Sequence, residues 1–199
     1  MNKDQLKQLM TKQVLSLEEV KFVLDSLVNE IKNTMNVNDS STRLCKESSM
    51  ALWKLCSDIG LPYIPCSMSE INMSDLEHHY GITGFKTEYG QICFLLDLTY
   101  IQFTEDLYPV NVGGINGTKE VLSPGNFISE ENQETLVNSG YITLTKENYD
   151  DYLRSFIETN KLVNQVNEDL IYGNAYSLLG QYHINFVEKD YINNQGISY

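Results

Sequence analysis

Three residues of the 199-residue chain stand in an order that suits thiol chemistry: Cys45, His78 and Asp97. A thiol attacks as its thiolate, and a helix N-terminus favours that form through its unpaired amides and positive dipole end. Cys45 comes just after the loop Asn36 to Thr42, NVNDSST, whose last residues suit an N-cap, so it falls at a helix start. An imidazole beside the thiol can take its proton, and a carboxylate on the far ring nitrogen fixes the tautomer and orientation. His78 opens one expected strand and Asp97 ends the next, after the apolar run Ile92-Cys93-Phe94-Leu95-Leu96. Antiparallel neighbours share a face, so a hairpin can set the two side by side. A carboxylate at the end of so apolar a strand also needs a partner, because burying it unpaired is costly.

Register decides between His78 and His79, since adjacent strand residues face opposite ways, and His79 stands as the alternative base. Acyl chemistry also needs an oxyanion donor. The Cys45 amide at its helix start is the default, with Asn36 or Asn38 in the preceding loop and Gln102 as further oxyanion or substrate candidates. Asn in such a loop more often serves turn chemistry, and Gln102 could equally tie down a strand end. Cys56, Cys66 and Cys93 read as small buried hydrophobes, and that is the competing account of Cys45 as well. His183, in a tyrosine-rich stretch, reads as structural.

The elements that must position these groups follow from periodicity. Residues 3 to 14 suggest a short polar helix. Ser16-Leu17-Glu18-Glu19 fits a capping box that opens a second, with Leu17, Val20, Leu24, Leu27, Ile31 and Met35 as one apolar stripe. The cysteine helix, CKESSMALWKLCSDI, stops at Gly60 with Pro62 just beyond. Residues 61 to 77, with Pro62, Pro65 and several serines, read as a crossing loop. A hairpin follows, HHYGITGFKTE and QICFLLDLTYIQF around a turn at Tyr89-Gly90, the second strand covered on both faces. Pro109 to Pro124 reads as an irregular excursion, and Ser129 to Ser139 as a helix stopped by Gly140. YITL reads as a short strand, and Thr145 as the cap of a helix that puts Tyr149, Tyr152 and Phe156 on one side. Beyond Val163 a helical pattern reaches Leu179. Helices, then strands, then helices predict an α+β fold, with residues 1–199 as a single domain. Within it, 1–40 carry N-terminal helices, 41–105 the catalytic core and 106–199 a C-terminal α/β extension.

Three stretches from about Ser41 to Phe103 resemble the core of the papain-like and transglutaminase-like cysteine enzymes, including bacterial papain-fold toxins and glutamine deamidases. They are Cys45-x-x-x-Ser49-x-x-Leu52-x-x-Leu55-x-x-x-Ile59-Gly60-Leu61, then His78-His79-Tyr80-Gly81-Ile82, and then Phe94-Leu95-Leu96-Asp97-Leu98-Thr99-Tyr100-x-Gln102-Phe103. The resemblance covers about a third of the chain. It implies a nucleophile helix packed on an antiparallel sheet, with helical additions at both ends. It further implies a Cys45-His78-Asp97 triad that acts through a thioester on protein or peptide amides, by glutamine deamidation, proteolysis or acyl transfer. The alternative is a non-catalytic acidic binding protein on the same scaffold.

Composition narrows the partners. A net charge of −13 argues against nucleic acid and anionic membrane surfaces, and it admits a basic protein partner. No run of about 18 apolar residues predicts a membrane span. The start MNKDQLKQLMTKQ has neither an apolar core nor a cleavage site for secretion. The expectation is a reducing cytoplasm, or export by a route without a signal. No phosphate loop, HExxH or metal-ligand spacing occurs, so no cofactor and no metal is expected.

Overall fold

A computed structural model describes residues 2–35, 44–72, 77–103, 130–161 and 165–188. The fold is α+β. Among the described residues four strands form one antiparallel sheet in sequence order, β1 (Tyr63–Ser67), β2 (His79–Thr87), β3 (Gly90–Leu96) and β4 (Tyr141–Thr143). Helices cover both faces, which explains why β3 is apolar almost throughout. Its Ile92, Phe94 and Leu96 face a core built with α1 (Lys3–Met10), α2 (Leu17–Met35) and α3 (Cys45–Ile59). Its Cys93 and Leu95 face the other core, built with α4 (Met68–Asn72), α5 (Glu130–Ser139), α6 (Lys146–Lys161) and α7 (Glu168–Gln181).

Local signals set the helix ends. The Ser16 hydroxyl accepts from the Glu19 amide at 3.2 Å while Glu19 accepts from the Ser16 amide at 3.1 Å, the reciprocal pair that satisfies two orphan donors. Gly60 closes α3 at φ +81°, and Gly140 closes α5 at φ +80°. Thr145 accepts from the Asn148 amide at 3.1 Å and so caps α6. α7 is a separate helix with its own Asn167 cap.

Two expectations need correction. Residues 61 to 77 are not only a crossing loop: they hold the edge strand β1 and the short α4. Pro65 disguised the strand, since proline is tolerated on an edge where no ladder amide is lost. The second hairpin strand also ends at Leu96, and Tyr100–Phe103 form a 3-10 turn instead of continuing it.

α3 is seated on the sheet by polar contacts as well as by Leu52, Leu55, Cys56 and Ile59. Buried Ser49 shares a hydrogen bond with the Tyr63 hydroxyl at 2.9 Å and donates to the Tyr80 carbonyl at 3.2 Å. Tyr63 reaches it by lying across Gly81, where a Cβ would stand 2.0 Å from the ring. Gly81→Ala should therefore cost about 1 to 3 kcal/mol in chemical denaturation through overpacking. Leu27→Ala, fully buried in α2, should cost about 2 to 5 kcal/mol. A Gly81→Ala variant as stable as the parent would mean that the Tyr63 seat is not a constraint.

Candidate active site

The structure brings the ends of three elements together at one end of the two central strands. Cys45 is the first residue of α3 and is half-buried, and its N-cap residue Leu44 offers no side-chain hydrogen bond. His78 immediately precedes β2, held by a 2.8 Å bond from the Met68 amide to its carbonyl. Asp97 immediately follows β3, and its amide donates to the Gly140 carbonyl at 2.9 Å. His78 and Asp97 are both buried, 1% and 2% exposed.

His78 Nε2 lies 2.7 Å from Asp97 Oδ2, so that nitrogen carries its hydrogen toward the carboxylate. The Tyr152 hydroxyl, from α6, donates to the same oxygen at 2.8 Å and lies 3.1 Å from His78 Nε2. The other oxygen, Oδ1, accepts from the Thr99 amide at 2.9 Å and from the Thr99 hydroxyl at 3.1 Å. The buried carboxylate thus has its donors supplied on both oxygens. Gln102 Nε2, from the 3-10 turn, lies 2.8 Å from His78 Nδ1 and donates to Thr99 Oγ1 at 3.3 Å. Phe103 meets the imidazole edge-on at 4.7 Å, and Phe156 stacks at 6.4 Å. The Cys45 thiol lies near enough to the same ring to help raise its proton affinity.

Burial, the largest single influence on His78, works against its charged form. The Asp97 charge and hydrogen bond, with Cys45 adding to them, outweigh it and push the imidazole above its ordinary value of 6.5. Burial first, and then the Asp97 charge, push the Tyr152 phenol well above its ordinary 10.0, so it remains a donor. Burial also pushes the Cys56 and Cys66 thiols up to about 12 and raises Cys93. All four cysteines are free, and those three are buried.

His79, the alternative base, faces the other way: it is partly exposed and pairs with Glu77 Oε1 at 2.7 Å. Gln102, expected as an oxyanion or substrate donor, has its amide nitrogen on His78 and Thr99. Asn36 and Asn38 lie outside the described residues. Sequence reasoning missed the roles of Tyr152 and Thr99. The Asp-x-Thr spacing of a local Asx turn was a usable signal for Thr99, whereas helical spacing alone marks Tyr152 only as core. Among the described residues no group of three or more His, Cys, Asp or Glu side chains could hold a metal ion, and no helix is long and apolar enough to cross a membrane.

No family model matches the chain, nor does any curated protein or solved structure.

The geometry sets the sign of a pH effect. With its folded value above its unfolded one, His78 adds stability that is fully present below about 6.5 and is lost as pH rises through the raised folded value. An NMR titration should place the His78 midpoint above 6.5. Asp97→Asn should lower it, because burial then meets less opposition. An unchanged midpoint in Asp97→Asn would deny Asp97 its part in holding the imidazole.

Proposed function

We propose that the chain is a cysteine hydrolase or acyltransferase on a papain-like or transglutaminase-like scaffold, acting on protein or peptide amides. The observation that carries this reading is a half-buried thiol near an imidazole whose Nε2 is bonded at 2.7 Å to a buried carboxylate. That is the arrangement a thiol needs to lose its proton and to return it to a leaving group. The three-layer fold supports the same reading, with the cysteine helix on one sheet face and His78 and Asp97 at strand ends.

In the proposed reaction Cys45 passes its proton to His78 Nδ1, and the sulfur attacks the amide carbonyl carbon. The carbon–nitrogen bond then breaks as His78 gives the proton to the departing nitrogen, leaving a thioester on Cys45. Water attacks the thioester with His78 again taking a proton, and the acid leaves as the thiol reforms. An amine in place of water gives acyl transfer. The amide of Cys45 is the oxyanion donor, at a helix start whose positive end favours developing negative charge. A glutamine side chain suits this thiol better than a main-chain amide does. It projects on its own methylenes and reaches a half-buried sulfur without an extended groove, so deamidation with loss of ammonia is the first activity to seek.

Cys45 should react with iodoacetamide at pH 6, whereas Cys56, Cys66 and Cys93 should stay unmodified in the folded chain. Cys45→Ala should abolish release of ammonia from glutamine-containing peptides with little change in Tm. Asp97→Asn should slow it by up to about 10⁴-fold, by analogy with serine triads. An inert Cys45, or a Cys45→Ala variant that no longer folds, would make the thiol structural and leave an acidic binding protein as the reading.

A further inference from the structure

The thiol reading requires His78 to take a proton, and only one of its nitrogens is free to do so. Nε2 already directs its hydrogen to Asp97 Oδ2 at 2.7 Å, so the lone pair that must accept is on Nδ1. That lone pair is already engaged. Gln102 Nε2 lies 2.8 Å from Nδ1, and Gln102 is itself buried, 7% exposed.

The orientation of the amide follows from its second contact. Thr99 Oγ1 spends its hydrogen on Asp97 Oδ1 at 3.1 Å, so toward Gln102 at 3.3 Å it can only accept. Both inward neighbours of the amide, Nδ1 and Thr99 Oγ1, therefore call for N–H donors, and only the nitrogen of Gln102 supplies two. If a proton arrives on Nδ1, it meets an amide N–H: donor faces donor and the bond is lost. Turning the amide brings Oε1 onto the new N–H, but it also sets Oε1 against Thr99 Oγ1, whose hydrogen must then leave Asp97. The arrangement resists that change, since it would strip a donor from a buried carboxylate.

We propose that Gln102 is a positioning residue that holds His78 Nδ1 as an acceptor, so that its amide must release or turn before the imidazole can take the Cys45 proton. The proposal deepens the thiol reading and draws its catalytic meaning from it, although the contact itself concerns His78 alone. Among the described residues the titratable groups facing His78 are Cys45 from α3, Asp97 beyond β3 and Tyr152 from α6. The phenols of Tyr80 and Tyr100 lie behind Tyr152, and burial raises both, so they stay neutral. Asp97 and Cys45 favour the imidazolium while the Gln102 amide opposes it, so release or turning of that amide raises the proton affinity of Nδ1.

The test is a ¹⁵N NMR titration of His78 Nδ1 in the full chain carrying Cys45→Ala, so that no thiol couples to the ring. Gln102→Leu removes the donor and should raise the proton affinity of Nδ1 about tenfold, the weight of one buried hydrogen bond. Gln102→Met, close in shape but with neither a donor nor a charge, should raise it by a similar factor, and it keeps the question open to measurement if Gln102→Leu folds poorly. A midpoint that stays put or falls in both variants would overturn the proposal, because the amide would then already present its oxygen to an imidazolium. In the Cys45-containing chain, Gln102→Leu should also move the acid limb of the iodoacetamide rate profile to lower pH. An upward NMR shift with an inert Cys45 would leave the Gln102 assignment standing and remove the enzyme. A reactive Cys45 with an unmoved His78 midpoint would remove the Gln102 assignment alone.

Discussion

A carboxylate buried at the end of an apolar strand is the constraint around which this structure is arranged. Asp97 is 2% exposed, and an ionised group in that position is tolerable only if every side of it is met by a donor. The chain meets it from three directions. Thr99, two residues on, folds back with its amide and hydroxyl onto one oxygen. His78, from the neighbouring strand, and Tyr152, from a helix 55 residues later in the chain, meet at the other. The backbone obeys the same demand, because the turn after Asp97 is what ends β3 at Leu96.

That network also joins layers which hydrophobic packing alone would leave independent. The sheet separates two apolar cores, one beneath α1 to α3 and one beneath α4 to α7. Cys45 belongs to a helix of the first and Tyr152 to a helix of the second, yet both act on the same imidazole. Loss of either layer would expose or orphan the pair, so fold and site are secured together. Ser49, beneath the first turns of α3, adds a second polar tie through Tyr63 and the Tyr80 carbonyl, which sets where the N-terminus of that helix stands.

Much of this was legible in the sequence where a local rule decides the outcome. The Ser16 capping box, the stops at Gly60 and Gly140, the Thr145 cap and the doubly covered β3 each rest on a few neighbouring residues. The association of His78 with Asp97 was legible for a different reason: a carboxylate after five apolar residues announces that it needs a partner. What stayed hidden depended on distant context. Pro62, Pro65 and the nearby serines mark a loop by every local rule, and only the edge position of β1 lets Pro65 sit in a strand. Tyr152 shares its helical stripe with Tyr149 and Phe156, and spacing cannot tell a packed ring from one whose hydroxyl lands on a carboxylate. His78 and His79 are alike in type and adjacent in sequence. Register alone sends one ring inward to Asp97 and the other outward to Glu77.

The two nitrogens of His78 are held with unequal firmness, and that inequality is what a proton-transferring group needs. On the Nε2 side the ring meets an acceptor that is itself fixed by Tyr152 and by both donors of Thr99, in surroundings dry enough to strengthen each bond. Rotation of the imidazole would leave a buried charge short of a donor, so its orientation is fixed. On the Nδ1 side the ring meets a primary amide, and a thiol also lies near the imidazole; both can change what they offer without moving their backbones. A thiol can give up its hydrogen, and an amide can exchange nitrogen for oxygen by turning about its last bond. Phe103 and Phe156 close the ring's remaining sides with groups that offer no hydrogen bond of comparable strength. The proton-accepting chemistry of His78 is thereby left to one atom, Nδ1, and that is the atom on which the Gln102 amide sits.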